Sequence, residues 1–192
     1  MTTRSELDRK VIAAVERLGR ALRVARQQIA TAHQLSVLQV QLIEHLHGHP
    51  PRRVGALAAE LDVTQPTVSD AIGALDDKGI VSRQDDPADR RAALVTLTDT
   101  GSTLATELAA ELAPVLDDNR ATHADDEATA LRVLLEEIRR LQHNGVITVN
   151  RSCLTCQHFQ PDTTTTHARC LLLEEDLQPR DLRVDCSDHR AS

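Results

Sequence analysis

The stretch Val54–Gly101, VGALAAELDVTQPTVSDAIGALDDKGIVSRQDDPADRRAALVTLTDTG, decides the fold of this chain. It opens with Val54, Leu57, Ala58 and Leu61 at i, i+3, i+4 and i+7, the spacing of one buried helix face. Asp62-Val63 ends that segment, and Thr64 starts a second helix as its N-cap, with Gln65 and Pro66 in the first turn. Pro66 costs little there, because the N–H it lacks is one of the first four that a helix leaves without a partner. Val68, Ile72 and Leu75 form the inner stripe of the second helix, and Gly79 after Lys78 suits its C′ position. Two short helices joined by a tight turn, the second opening on small polar side chains, read as a helix-turn-helix.

A strand pair follows. Ile80–Arg83 is a short β-type run, Asp85–Arg91 a turn loaded with charge, and Ala93–Leu97 a second strand. A hairpin whose tip carries Arg90 and Arg91 is a wing, an arm able to place a guanidinium in a minor groove. The succession VTQPTVS, KGIVSR, DPADRRA and LVTLT resembles the winged helix-turn-helix of the MarR family of bacterial transcription regulators, and the resemblance covers approximately residues 5–143. It implies a mainly α fold: a winged helix-turn-helix on a helical dimerisation platform made from the first and last helices. It also implies a homodimer on a palindromic operator in double-stranded DNA and, in many members, a small-molecule ligand pocket beside the second helix. In this reading the helix from Gln65 lies in the major groove. Gln65, Thr67 and Ser69 then contact bases or phosphates, with Asp70 facing the same way less favourably. Arg90 and Arg91 reach the minor groove, with Asp89 bracing one of them. Arg52, Arg53 and Arg83 contact phosphates, which position a protein on DNA without specifying sequence.

Upstream, Ser5 caps a long helix to about Ala32. Its wide apolar face runs through Leu7, Val11, Val15, Leu18, Leu22, Val24 and Ile29, with Arg17, Arg20, Arg23 and Arg26 interspersed. So wide a stripe has too little partner within the chain, which points to a dimer. Leu35-Ser36 opens the next helix. His33, His45, His47 and His49 cluster at its ends, either as a metal site or as side chains satisfied locally. Downstream of the wing, Thr98-Asp99 caps a helix from Thr100 that Pro114 is expected to kink. Asp125-Asp126-Glu127 precede a last helix, Ala128–Gln142, ended by Asn144-Gly145. Its stripe of Leu131, Leu134, Leu135, Ile138 and Leu141 is assigned to the dimer platform.

Composition agrees. The 192 residues are 41% hydrophobic yet include one Phe and neither Trp nor Tyr, so the core is built from Leu, Val, Ile and Ala, which suits helices. No apolar run reaches the ~20 residues that span a bilayer, and no signal peptide precedes Ser5, so a cytoplasmic protein is expected. The net charge of −7 argues weakly against DNA, but its distribution does not. Residues 1–60 carry nine Lys/Arg against five Asp/Glu, and residues 101–150 four against nine, so the basic groups lie where a DNA face needs them.

The resemblance stops before a tail, residues 146–192, appended to the regulator-like residues 1–145. All four cysteines are there, as Cys153-x2-Cys156-x13-Cys170-x15-Cys186. Such clustering in a small appendage with a poor core points to a metal or redox site more than to structural disulfides. One reading is an iron–sulfur cluster, [4Fe–4S] or [2Fe–2S], on four thiolates. CLTCQHF…RCLLL…VDC is similar to the ligand pattern of small high-potential iron–sulfur proteins, departing from it where those carry aromatic residues around the last cysteine. A second reading is a structural Zn2+ site, with His158, His167 or His189 able to substitute for a cysteine. The third is a metal-free thiol switch at Cys153 and Cys156. An enzymatic dithiol oxidoreductase would need a βαβ scaffold around the Cys-x2-Cys pair, and none is visible. The expectation is therefore a non-enzymatic, DNA-binding regulator whose tail senses redox state, oxygen or iron.

Overall fold

The computed structural model describes residues 4–116, 124–161 and 168–192, which form six α-helices and two small three-stranded sheets. They divide into two compact units: Met1–Arg52 with Val68–Asp118, and Arg53–Thr67 with Asn119–Ser192.

In the first unit, α1 (Arg4–Ala32) packs against α2 (Val37–Leu46) and α5 (Asp99–Leu116). Ser36 caps α2 in a reciprocal box with Gln39, which fixes where the chain turns after α1. Ile29, Ala30, Val40, Leu42, Ile43 and Leu108 bury the contact. Only the C-terminal part of α1 takes part; Leu7, Val11, Val15 and Leu18 remain about half exposed. Pro114 sits near the C-terminal end of α5, which runs on to Leu116.

Helix α4 (Gln65–Asp77) buries Val68, Ile72 and Leu75 completely. It ends at Gly79, whose φ of +70° is the left-handed conformation a C′ glycine supplies without strain. The wing pairs β2 (Val81–Asp86) with β3 (Asp89–Leu97), while β1 (Arg52–Arg53) borders β3, giving the order β1-β3-β2. The turn is tighter than the sequence suggests: only Pro87 and Ala88 separate the strands, and Asp86 Oδ1 accepts the Ala88 N–H at 2.8 Å. Register shifts from Asp85 opposite Ala93 to Asp86 opposite Asp89, so β3 carries Arg90–Ala92 in a bulge next to the tip. Thr98 closes the wing base: its N–H donates to the Ile80 carbonyl, and its Oγ1 accepts from Gly101 N at 3.0 Å as the cap of α5.

The second unit holds α3 (Val54–Glu60), α6 (Ala124–His143) and the cysteine-bearing tail. The tail builds a three-stranded sheet, β4 (Phe159–Pro161), β5 (Ala168–Cys170) and β6 (Glu175–Leu177), in the order β4-β5-β6. Strands of three residues are too short to hold themselves together, and α6 supplies what they lack. Leu135 (0% exposed) packs with Leu177 and Leu182, flanked by Leu131, Ile138 and Phe159. The stripe assigned to the dimer platform is thus divided. Leu131, Leu135 and Ile138 face the tail, while Leu134 and Leu141 are exposed. The amphipathic pattern shows that one helix face is buried, but not what it is buried against. Among the described residues, no helix is long and apolar enough to cross a membrane.

Candidate nucleic-acid interface and candidate metal centre

The start of α4 is built as the sequence predicts. Thr64 Oγ1 accepts the Thr67 N–H at 3.4 Å and lies 2.7 Å from Thr67 Oγ1. Because Val68, Ile72 and Leu75 are turned inward, Gln65, Thr67 and Asp70 stand exposed and Ser69 half-buried. The first turn of a helix offers N–H groups without intrahelical partners and a partial positive charge, which suits a phosphate. Arg83 fastens the wing to this helix: its Nε lies 3.6 Å from Asp76 Oδ2 and its Nη2 donates to the Ser69 carbonyl at 3.5 Å.

The two arginines before α3 part company. Arg53 is exposed, whereas Arg52 is 6% exposed, since adjacent residues of a strand point to opposite sides. A guanidinium turned into the fold is not placed on a DNA surface, so of this pair Arg53 is the one suited to a phosphate. Arg90 and Arg91 lie at the start of β3, beside the wing tip. Their side chains, and with them the bracing by Asp89, lie outside the described residues. His33 Nε2 sits 2.8 Å from Glu111 Oε1, and His49 Nδ1 lies 3.0 Å from the His47 carbonyl. Both have local partners.

The four cysteines, scattered over 34 positions, line one cavity with His158, Phe159, Leu172, Leu173 and Leu177. Each is placed by a different short element. Cys153 opens a 3-10 turn, Cys153–Thr155, and Cys156 ends it with its N–H on the Cys153 carbonyl. Cys170 closes β5 opposite Phe159, and Cys186 donates its N–H to the Arg151 carbonyl at 3.2 Å. All four are partly buried and carry free thiols. Among the described residues, no three of these sulfurs fall within 4.8 Å of one another.

Arg183, which the sequence did not single out, serves two of them. Its backbone N–H donates to Cys153 Sγ at 3.2 Å, and its Nη1 lies 3.7 Å from Cys186 Sγ. Burial pushes the Cys153 thiol up, opposed by that N–H and assisted by the neighbouring Cys186 and Cys170. Of the three candidate substitutes, His158 lines the cavity and His189 Nε2 lies 3.0 Å from Thr155 Oγ1. His167 lies outside the described residues. The Cys-x2-Cys pair stands on a 3-10 turn beside an antiparallel sheet, not on the βαβ unit of a dithiol oxidoreductase.

Residues 33–92, from just after α1 into β3, match the model of the MarR family. Solved structures similar to the chain include a MarR-family transcriptional regulator from Listeria monocytogenes complexed with a 26mer DNA. It is 16% identical, with a TM-score of 0.60 over 70% of this chain and 89% of that one. The regulator BldR from Sulfolobus solfataricus is 20% identical, with a TM-score of 0.57 over 70% and 99% of the two chains. A MarR regulator from Methanosarcina mazei Go1 is 24% identical, with a TM-score of 0.53 over 71% and 99%. At these identities the likeness is one of fold. All three are transcriptional regulators.

Proposed function

We propose that this chain is a MarR-type transcription regulator that binds double-stranded DNA as a homodimer and whose tail holds an iron–sulfur cluster. The observation that carries the DNA reading is the exposed first turn of α4, with Gln65 and Thr67, together with a wing whose β3 opens on Asp89-Arg90-Arg91. Replacing Arg91 by Ala is expected to weaken operator binding and to lower the slope of log affinity against log salt by about one phosphate contact. Binding that matches the wild type at several salt concentrations would remove the wing from the interface.

The homodimer rests on α1. Leu7, Val11, Val15 and Leu18 follow one another at i, i+4, i+8 and i+11 and are 47–54% exposed. A stripe of that size gains roughly 25 cal/mol for each Å2 taken from water, which a second copy of the same helix can supply. Light scattering should give about twice the 21.1 kDa chain mass, and Val15→Glu should return it to that of one chain. A wild-type protein that scatters as a single chain and still binds a palindromic duplex would end this reading.

Two features support a cluster over a single zinc ion. Tetrahedral zinc, with Zn–S near 2.3 Å, would hold its sulfurs roughly 3.8 Å apart. Here four sulfurs line one cavity and no three of them lie within 4.8 Å of one another, wider than a single zinc would hold them. The second feature is Arg183, since N–H groups aimed at sulfur set the reduction potential of such centres. When bound, the cluster supplies an electron couple that responds to oxidants or to iron supply. The deciding measurement is the metal content and absorbance of protein purified without oxygen. Brown protein with iron and sulfide supports the cluster; colourless protein with zinc makes the tail a structural zinc module, and metal-free protein with a reversible Cys153–Cys156 disulfide makes it a thiol switch.

A further inference from the structure

The link between α6 and the cysteine turn grips α3 at two points. Thr148 Oγ1 lies 3.1 Å from the Ala59 carbonyl and 3.2 Å from Asp62 Oδ1, and its one hydroxyl proton serves both acceptors. Three residues on, Arg151 Nη2 donates to Glu60 Oε2 at 2.6 Å, in a pair whose side chains are 23% and 9% exposed. The main chain of Arg151 faces the other way: its carbonyl accepts the Cys186 N–H. One residue therefore holds a cysteine of the candidate cluster with its backbone and the last turn of α3 with its side chain.

The place where Arg151 pulls is itself constrained. Asp62, next to the Leu61 C-cap of α3, has a φ of +50°, and Thr64, two residues later, caps α4. Few backbone conformations satisfy both, so the end of α3 and the start of the recognition helix are set by the same few dihedrals. An ion pair withdrawn this far from water is sensitive to small changes of geometry, because a separated partner is left poorly solvated.

We infer that Arg151 couples the cysteine site to DNA binding, carrying a displacement of Cys186 through Glu60 to the helix-turn-helix. The inference rests on the proposal above that the tail holds a cluster and α4 holds DNA, and it names the route between them. The route does not pass through the dimer face.

The test compares full-length wild type and Glu60→Gln, both purified without oxygen, each against its own chelator-stripped form. The probe is one duplex, selected from a random-sequence pool by untreated wild-type protein, at a single salt concentration. For wild type the two forms should differ in affinity by roughly five- to a hundredfold, the usual range of allosteric coupling, and in Glu60→Gln the ratio should fall to about twofold or less. Iron content should stay as in wild type, and the melting temperature should fall, since Arg151 loses its carboxylate partner, while the variant stays folded at the temperature of the binding assay. Arg151→Lys, which keeps the charge but loses the planar fork, should retain part of the ratio. If Glu60→Gln does not fold, Thr148→Val removes the other grip of the same link and is judged by the same ratio. A wild-type ratio in the folded variant overturns the coupling and leaves cluster and DNA binding standing. Wild-type protein without iron, or with equal affinities in both forms, overturns the sensor reading and the coupling together.

Discussion

Gly101→Ala is expected to lower the unfolding midpoint of the winged helix by roughly 6–12 °C, equivalent to about 3 kcal/mol, and to cost operator binding at growth temperature. A Cβ at this position would lie 2.0 Å from the Ile80 carbonyl oxygen, 3.0 Å from Ile80 C and 3.3 Å from Leu97 Cδ2. Two of these three neighbours are backbone atoms, so no rotamer change relieves the contact. The same carbonyl accepts the Thr98 N–H and lies 3.1 Å from Thr98 Oγ1. Moving it aside therefore loosens the base of the wing and the cap of α5 together. Serine, with a Cβ in the same place, should be no better tolerated than alanine. A melting curve unchanged in Gly101→Ala would mean that α5 does not approach Ile80 as closely as described.

The second large effect is expected at Leu135. Truncation to Ala in a fully buried site typically costs about 2–5 kcal/mol, and Asp adds the burial of a charge without a partner. Because Leu135 packs on Leu177 and Leu182, the loss should fall on the tail. In Leu135→Asp the four cysteines should react with a thiol reagent at rates near those of an unfolded peptide, and the hydrogen-exchange protection of β5 and β6 should collapse. Leu134, the next residue, is 42% exposed. Its replacement by Asp should change tail stability by no more than about 0.5 kcal/mol. Similar thiol reactivity in the two variants would show that α6 does not anchor the tail.

How much of this was legible in the sequence depended on whether a signal was local. Thr64 as a cap, Pro66 in a first turn and Gly79 past the end of α4 are decisions a chain makes within four residues, and the structure keeps each of them. The inner stripe of Val68, Ile72 and Leu75 is periodic, and all three are fully buried. The partner of a buried face is not local. Leu131 to Leu141 have the same pattern whether they meet a second subunit or a small sheet, and the sheet claims Leu131, Leu135 and Ile138. Arg52 was put with Arg53 among the phosphate contacts for the opposite reason: a two-residue strand is too short to show alternation, so nothing marked one arginine of the pair as inward-facing. In the tail, spacing picked out the four cysteines that line one cavity but could not find Arg183, whose part depends on a backbone N–H that every residue other than proline carries.

The packing of α6 also bears on where this protein can be cut and rejoined. A cassette made from residues 146–192 alone would contain every cysteine but would leave Leu177 and Leu182 without Leu135, and strands of three residues with nothing to lie on. A portion that starts at the beginning of α6, Ala124, brings this platform along but leaves behind α3, which Thr148 and Arg151 grip. An engineer who fuses at the glycine after α6 would discard the part of the tail's core that lies in front of the tail.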